Sequence, residues 1–360
     1  MIEVIELRLV RLPLVGPFRT SFGTETSKEA ILVRAVGEDS EGWGECVAGP
    51  DPGYSEEFNA EAWVTLRDHL VPATLAGNGP QVRGHRMARA ALEMAITDLE
   101  LRQREVSLAE HLGSVRGEVP VGVSIGIPEG GVPQLLEQVG RYLEQGYQRI
   151  KLKIEPGFDV EPAAAVRREH PDILLSVDAN AAYGLGDSSV MEALDDLQLL
   201  MIEQPLSHED LYQHSLLQGR LSTPLCLDES IRSAADAAAA LDMGACGIIN
   251  IKPGRVGGLS EAVRIHDLCL ERGVPVWCGG MLETGIGRAA NLSLASLPGF
   301  TLPGDISASA RYFPQDVTEP FVLSPGGMMA VPQGPGLGVA PLPERLEAVT
   351  VQTVSLARQS

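Results

Sequence analysis

Lys153, Asp178, Glu203 and Asp228 follow one another at intervals of 25 positions, and Lys252 follows Asp228 after 24. Each stands at the end of a short apolar run: RIKLKI (149–154), ILLSVD (173–178), LLMIE (199–203), LCLD (225–228) and GIINIK (247–252). One β–α unit of a barrel takes roughly 25–30 residues. The spacing therefore predicts one strand per step, with each charged residue at the C-terminal rim where barrel active sites lie. A single strand-end acid or lysine can cap a turn; five on consecutive strands need a common purpose. Runs at 121–125, 274–278 and 300–305 bring the candidate strands to eight. Most are continuously apolar, as strands covered on both faces are. Helical stretches at 159–169, 208–219, 232–242 and 259–272 lie between them, which predicts an α/β barrel rather than an open sheet.

The first third is different. Strands are expected at 3–11, 30–36 and 42–47, the last two as a hairpin, with helices at about 55–70 and 82–104. The segment 16–24 carries Phe18 and Phe22 between glycines. It reads either as a mobile loop that touches a ligand or as a surface loop anchored by two aromatics. A second Gly/Pro-rich loop, 49–54, ends in Tyr54. From 321 onward the chain is rich in glycine and proline, fitting either a return to the N-terminal part or a loose tail.

Composition narrows the partners. A formal net charge of -20 repels phosphate backbones, which excludes nucleic acid and anionic membrane as expected partners. The five cysteines show no C-x-x-C spacing, and MIEVIELRLV does not read as a secretory signal. A cytoplasmic enzyme is the expectation.

Three acids on neighbouring strands repel unless a cation sits among them. Oxygen-only ligands favour a hard divalent ion, Mg²⁺ first and Mn²⁺ second. Strands two and six of an eight-stranded barrel lie opposite each other, so Lys153 and Lys252 are expected to face across the mouth. A lysine is normally protonated and a poor base. Beside a divalent cation, and partly desolvated, its pKa is expected to fall. Lys151, on the same strand face as Lys153, either pushes the same way or forms a salt bridge. Such a site can hold a small carboxylate substrate, take the adjacent C–H proton, and store the charge as an enediolate on the metal.

The residues then resemble a known family. KLK (151–153), VDAN (177–180), IEQP (202–205), LDES (227–230) and NIKPGRVGG (250–258) resemble the muconate-lactonizing-enzyme branch of the enolase superfamily, which pairs a Lys or His base with Mg²⁺. The stretch 276–309 (VWCGGMLETGIGRAANLSLASLPGFTLPGDISAS) is similar to the o-succinylbenzoate synthase / N-succinylamino acid racemase group, also called N-acylamino acid racemases. PFRTSFGTE and GWGECVAGPDPGYSEE extend the likeness to the N-terminal part. The resemblance implies a modified (β/α)₇β TIM barrel with an N-terminal α+β capping domain. The divisions would be a cap over 1–119, a barrel over 120–320, and a segment 321–360 that returns to the cap. It implies Lys153 and Lys252 as the acid/base pair and Asp178, Glu203 and Asp228 as metal ligands. Asn180 and Glu229 would stand behind those ligands, and Arg255 would tune Lys252. Phe18, Phe22 and Tyr54 would ride on loops that close over substrate. Members form dimers or octamers.

Glycines 285 and 287 with Ala290 fit the G-x-G-x-x-A dinucleotide pattern, but after a seventh barrel strand rather than at the first turn of an open sheet, which argues against a dinucleotide. A helix start there is still expected to suit a substrate carboxylate. Glu283 and Ser124 at the rim are each candidates for substrate contact or for a structural hydrogen bond. The leading expectation is dehydration to o-succinylbenzoate, racemisation of N-succinylamino acids, or both. Cycloisomerase and dipeptide epimerase are the alternatives within the superfamily, although the rim at Gly279–Glu283 lacks the D-x-D of the epimerases. A Schiff-base lysine aldolase leaves the three acids unexplained, and a non-catalytic barrel scaffold need not keep all five residues.

Overall fold

The computed structural model describes residues 1–79 and 82–358. Strands β1 (Val4–Thr20) and β2 (Gly23–Val36) form a long antiparallel hairpin, joined at its edge by β3 (Glu41–Cys46). The expected loop at 16–24 is in fact the tip of this hairpin. Its register is irregular between Pro13 and Phe18, then resumes through Phe18↔Glu25 and Arg19↔Thr24. Two prolines without N–H groups interrupt the ladder without ending the strand. The helix Arg86–Gln103 packs across this sheet on its small-residue face, where Ala88, Ala91 and Ala95 are buried. The sequence GWGEC permits the approach. A Cβ on Gly42 or Gly44 would run into helix backbone at Ala95 and Leu99 or at Ala91 and Ala95.

Seven parallel strands follow: β4 (Gly122–Ile125), β5 (Arg149–Lys153), β6 (Leu174–Asp178), β7 (Ile202–Glu203), β8 (Leu225–Leu227), β9 (Ile248–Ile251) and β10 (Val276–Cys278), paired in sequence order. Their residues alternate between a shell that packs on the helices (Ile150, Leu152, Val177, Ile202, Ile249) and the barrel interior, where Met201, Cys226, Ile248 and Trp277 form a plug. The expected eighth strand at 300–305 is not formed. Isolated parallel bridges, Val276↔Phe300 and Val121↔Gly304, close the ring instead. Pro303, lacking an N–H, sits between them and interrupts the ladder.

Beyond the barrel, Met328–Ala330 pairs antiparallel with Glu118–Pro120, and β11 (Thr350–Ala357) pairs with β1 from Val4↔Ala357 to Val10↔Thr350. Residues 350–357 thus lie on the N-terminal sheet. All five cysteines are buried free thiols. Among the described residues no helix is long and apolar enough to cross a membrane.

Candidate active site

The register of the barrel sets the charged ladder side by side. Lys153 pairs with Asp178, and Asp178 with Glu203. Glu203 then aligns with Cys226, and Leu227 with Ile249, so Asp228 and Lys252 each lie two residues further along. That is the stagger a closed barrel requires.

The lysines and acids are bound to each other. Lys153 Nζ donates to Asp178 Oδ2 at 2.7 Å and to Asn180 Oδ1 at 2.6 Å. Lys252 Nζ donates to Asp228 Oδ2 at 2.7 Å and to the Tyr54 hydroxyl at 3.0 Å. Lys151 contacts three acids: Asp305 at 2.6 Å, Glu203 at 2.7 Å and Asp178 at 3.1 Å. Arg255 pairs with Asp228 and also donates to the carbonyls of Ile231 and Asn250. The acids therefore share one rim with cations between them. Among the described residues no three of His, Cys, Asp or Glu stand close enough together, as they are, to hold an ion.

Behind this layer lie residues that strand-end spacing did not single out. Asn250 donates to Glu203 Oε1 at 2.8 Å. Gln204 Oε1 accepts from the N–H of Asp228 at 3.0 Å and of Ser230 at 3.2 Å, so the strand-end carboxylate of β7 is followed by a brace for that of β8. Both lie inside the motifs IEQP and NIKPG, and their amides were the available signal. Asp305 pairs with Arg149 as well as Lys151. Asn180, Ala181 and Gln204 all adopt left-handed backbone (φ 44°, 62° and 36°), strain of the kind that collects at functional sites. Asn180 Nδ2 reaches Glu229 Oε1 at 2.8 Å, while Glu229 Oε2 is buried without a partner.

Burial would raise the pKa of Asp178, but Lys153 and Lys151 overcome it and hold the carboxyl well below its usual range. Glu203 moves up, first through burial and then through the charge of Asp178. Glu229 is pushed up to about 7 for the same two reasons. Burial alone would lower Lys252, but the acidic groups of Tyr54, Glu229 and Glu203 outweigh it and hold the ammonium above its ordinary value. Lys151 behaves likewise, between Asp305, Glu203 and Asp178. Of the two readings of Lys151, the structure shows the salt bridge. The carboxylates also oppose one another's ionisation despite the ammonium groups among them. A buried, all-oxygen donor set of this kind fits a hard divalent cation.

A cavity of about 230 Å³ opens over the lysines. Lys151, Lys153 and Lys252 line it from the barrel, and Phe18, Phe22 and Tyr54 from the N-terminal sheet and its loops. Asp178, Glu203 and Asp228, at most 1% exposed, lie beneath and do not line it. Ser124 lines it too, with its hydroxyl buried and unpartnered. A larger cavity of about 360 Å³ behind Tyr54 meets Glu229 and Arg255 but none of the three lysines.

Two rim expectations are placed elsewhere. Glu283 does not line the lysine cavity; its oxygens accept from Met281 N–H and Asn291 Nδ2, both at 2.9 Å. The helix start at Thr284–Gly287 is filled by protein rather than open to substrate. Glu45 accepts from the Thr284 N–H and hydroxyl and the Gly287 N–H, and Asp316 accepts from the Gly285 N–H. The orphan donors of a helix N-terminus are satisfied there by two carboxylates remote in sequence.

Comparison with known proteins agrees with this geometry. Residues 1–113 match the N-terminal domain of the mandelate racemase / muconate lactonizing enzyme family, and residues 134–345 match the enolase C-terminal domain-like family. An N-succinylamino acid racemase of Amycolatopsis is 58% identical over 97% of this chain and 98% of its own. An o-succinylbenzoate synthase of Geobacillus stearothermophilus is 51% identical over 94% and 92%. The crystal structure of an enolase-superfamily member from Listeria innocua superposes with a TM-score of 0.94 at 38% identity, covering 99% of both chains. With its capping sheet, its barrel of seven parallel strands and these relatives, the chain belongs to the mandelate racemase / muconate-lactonizing-enzyme branch of the enolase superfamily, in the group of o-succinylbenzoate synthases and N-succinylamino acid racemases.

Proposed function

We propose that this protein removes the proton next to the carboxylate of a small acid, with Lys153 and Lys252 as the acid/base pair. The reactions are dehydration to o-succinylbenzoate, racemisation of N-succinylamino acids, or both on one site. The observation that carries the reading is that both lysines line one cavity, from strands β5 and β9 on opposite sides of the barrel. Two bases on opposite sides suit racemisation, since one removes a proton and the other returns it on the opposite face. Dehydration needs one as base, while the other, as ammonium, offsets negative charge.

Asp178, Glu203 and Asp228 would hold the divalent ion, Mg²⁺ by the hardness of their oxygens, with Mn²⁺ as a substitute. Bound there, it supplies positive charge that stabilises the negative charge growing on the substrate carboxylate. The protein's own groups set the rest. Asn180 Oδ1 and Asp178 fix the Lys153 amine, and Tyr54 and Asp228 fix that of Lys252. Phe18, Phe22 and Tyr54 cover the cavity and exclude water, which strengthens each of these interactions. In this reading residues 1–119 cap a barrel of 120–320, and 321–360 return to the cap. The working form is a cytoplasmic dimer or octamer.

The test is incubation with Mg²⁺ and the cyclohexadiene precursor of o-succinylbenzoate, alongside α-proton exchange of N-succinylamino acids in D₂O. Product, exchange or both are expected. The absence of both product and exchange would overturn the reading.

A further inference from the structure

Lys28 lies on β2 of the cap and is 3% exposed, yet it lines the same cavity as Lys153 and Lys252. Among the described residues its ammonium makes one hydrogen bond, to the Val47 carbonyl at 3.1 Å, and no ion pair. An ammonium has three donors, and burying one without a counter-charge is costly. Acids do line the cavity, but they are engaged or apart. Both Glu57 oxygens accept from the N–H groups of Met87 and Ala88 at 2.9 Å, and neither Glu25 nor Asp51 lies within 4.0 Å of the Lys28 nitrogen. In a chain of net charge -20 this is a cation kept out of the many pairings open to it.

We propose that Lys28 binds a second carboxylate on the substrate: the free end of a succinyl arm whose other end is held at the barrel lysines. The proposal rests on the function stated above and adds how the site tells a succinylated substrate from one with a neutral acyl group. The chemistry it selects is a dicarboxylate long enough to span from the barrel rim to the cap sheet. Lys28 then acts in binding and takes no part in proton transfer.

The test compares wild type, Lys28→Met and Lys28→Arg, with Mg²⁺, on N-succinyl- and N-acetylphenylalanine. Binding is measured by calorimetry and turnover by α-proton exchange. A lost charge-assisted hydrogen bond is expected to reduce the succinyl-to-acetyl ratio of affinities in Lys28→Met by roughly 10- to 100-fold, carried by KM rather than kcat. Lys28→Arg is expected to restore most of the ratio. Thermal unfolding of each variant shows that the fold is kept. If both ligands weaken in the same proportion, or the ratio does not change, Lys28 only braces Val47 and the proposal is overturned. Calorimetry separates the two claims. A protein that binds the succinyl ligand through Lys28 but exchanges no proton loses the function proposed above and keeps this one.

Discussion

Glu45, on the capping sheet, accepts hydrogen bonds from the Thr284 N–H at 3.0 Å, the Thr284 hydroxyl at 2.7 Å and the Gly287 N–H at 2.9 Å, tying the cap to the helix that follows β10. The carboxyl is fully buried. Burial pushes its pKa up to about 7, opposed by the bonds from Thr284 and Gly287 and reinforced by the charge of Glu283. An acid raised in the folded state holds more protons folded than unfolded. Its contribution to stability is therefore complete below about 4.5 and is lost as the pH rises through 7. Glu45→Gln cannot ionise, so its stability should fall less between pH 5 and 7.5 than that of wild type. The difference should be at most on the order of 3 kcal/mol. Denaturant unfolding at the two pH values measures it, and parallel profiles would refute the assignment.

Lys153→Ala and Lys252→Ala should each reduce α-proton exchange by at least roughly 100- to 10,000-fold, the usual worth of a positioned acid or base. Each removal also strips a partner from a buried acid, Asp178 or Asp228, so circular dichroism must accompany the rates. A folded variant with wild-type exchange would sink the two-lysine assignment.

Removal of divalent cation with EDTA should abolish turnover, and Mg²⁺ should restore it. A readout free of turnover is stability: a ligand at 100 times its Kd raises unfolding free energy by about 2.7 kcal/mol. Asp228→Asn leaves Lys252 and Arg255 facing a neutral amide, so its starting stability will differ from wild type. The quantity to compare is the increment on adding Mg²⁺, which should vanish in the variant. An increment equal to that of wild type would remove Asp228 from the ligand set.

The charged ladder was legible because the β–α unit has a nearly fixed length, so sequence spacing translates into strand position. A salt bridge of Lys151 was one of two readings, but which acids Lys151 and Lys252 would pair with was not legible, because spacing says which residues share a rim but not which charge stands nearest. Thr284 finds Glu45 from 239 positions away, with no local signal at either end. The apolar run 300–305 resembles a strand in composition, and only Pro303 warned that its ladder would be broken. The segment 16–24 was misplaced for the opposite reason. Its two glycines and polar residues read as a loop, whereas the hairpin keeps its pairing past the irregularity and carries Phe18 and Phe22 out to the cavity. Lys28 lies just outside the strand expected at 30–36, and only its burial on the longer strand Gly23–Val36 reveals it.

Gly44 and Gly140 are both glycine-to-alanine sites, and they should respond in opposite directions. A Cβ on Gly44 would collide with the Ala91 carbonyl and the Ala95 nitrogen of the Arg86–Gln103 helix, which are backbone atoms and cannot turn aside. The strand or the helix must shift, and overpacking of that kind costs about 1–3 kcal/mol or more. Glu45 is the next residue, so the shift should also loosen its hold on Thr284 and reduce kcat/KM, although Gly44 itself does not line the cavity. Gly140 lies within the helix Gly131–Glu144 with nothing beyond its own helix backbone within 4 Å of an added Cβ, and there alanine should add up to about 1 kcal/mol of stability. Thermal unfolding and α-proton exchange on both variants give the comparison. If Gly44→Ala were as stable and active as Gly140→Ala, close packing of the helix on β3 would not be what fixes the cap over the site.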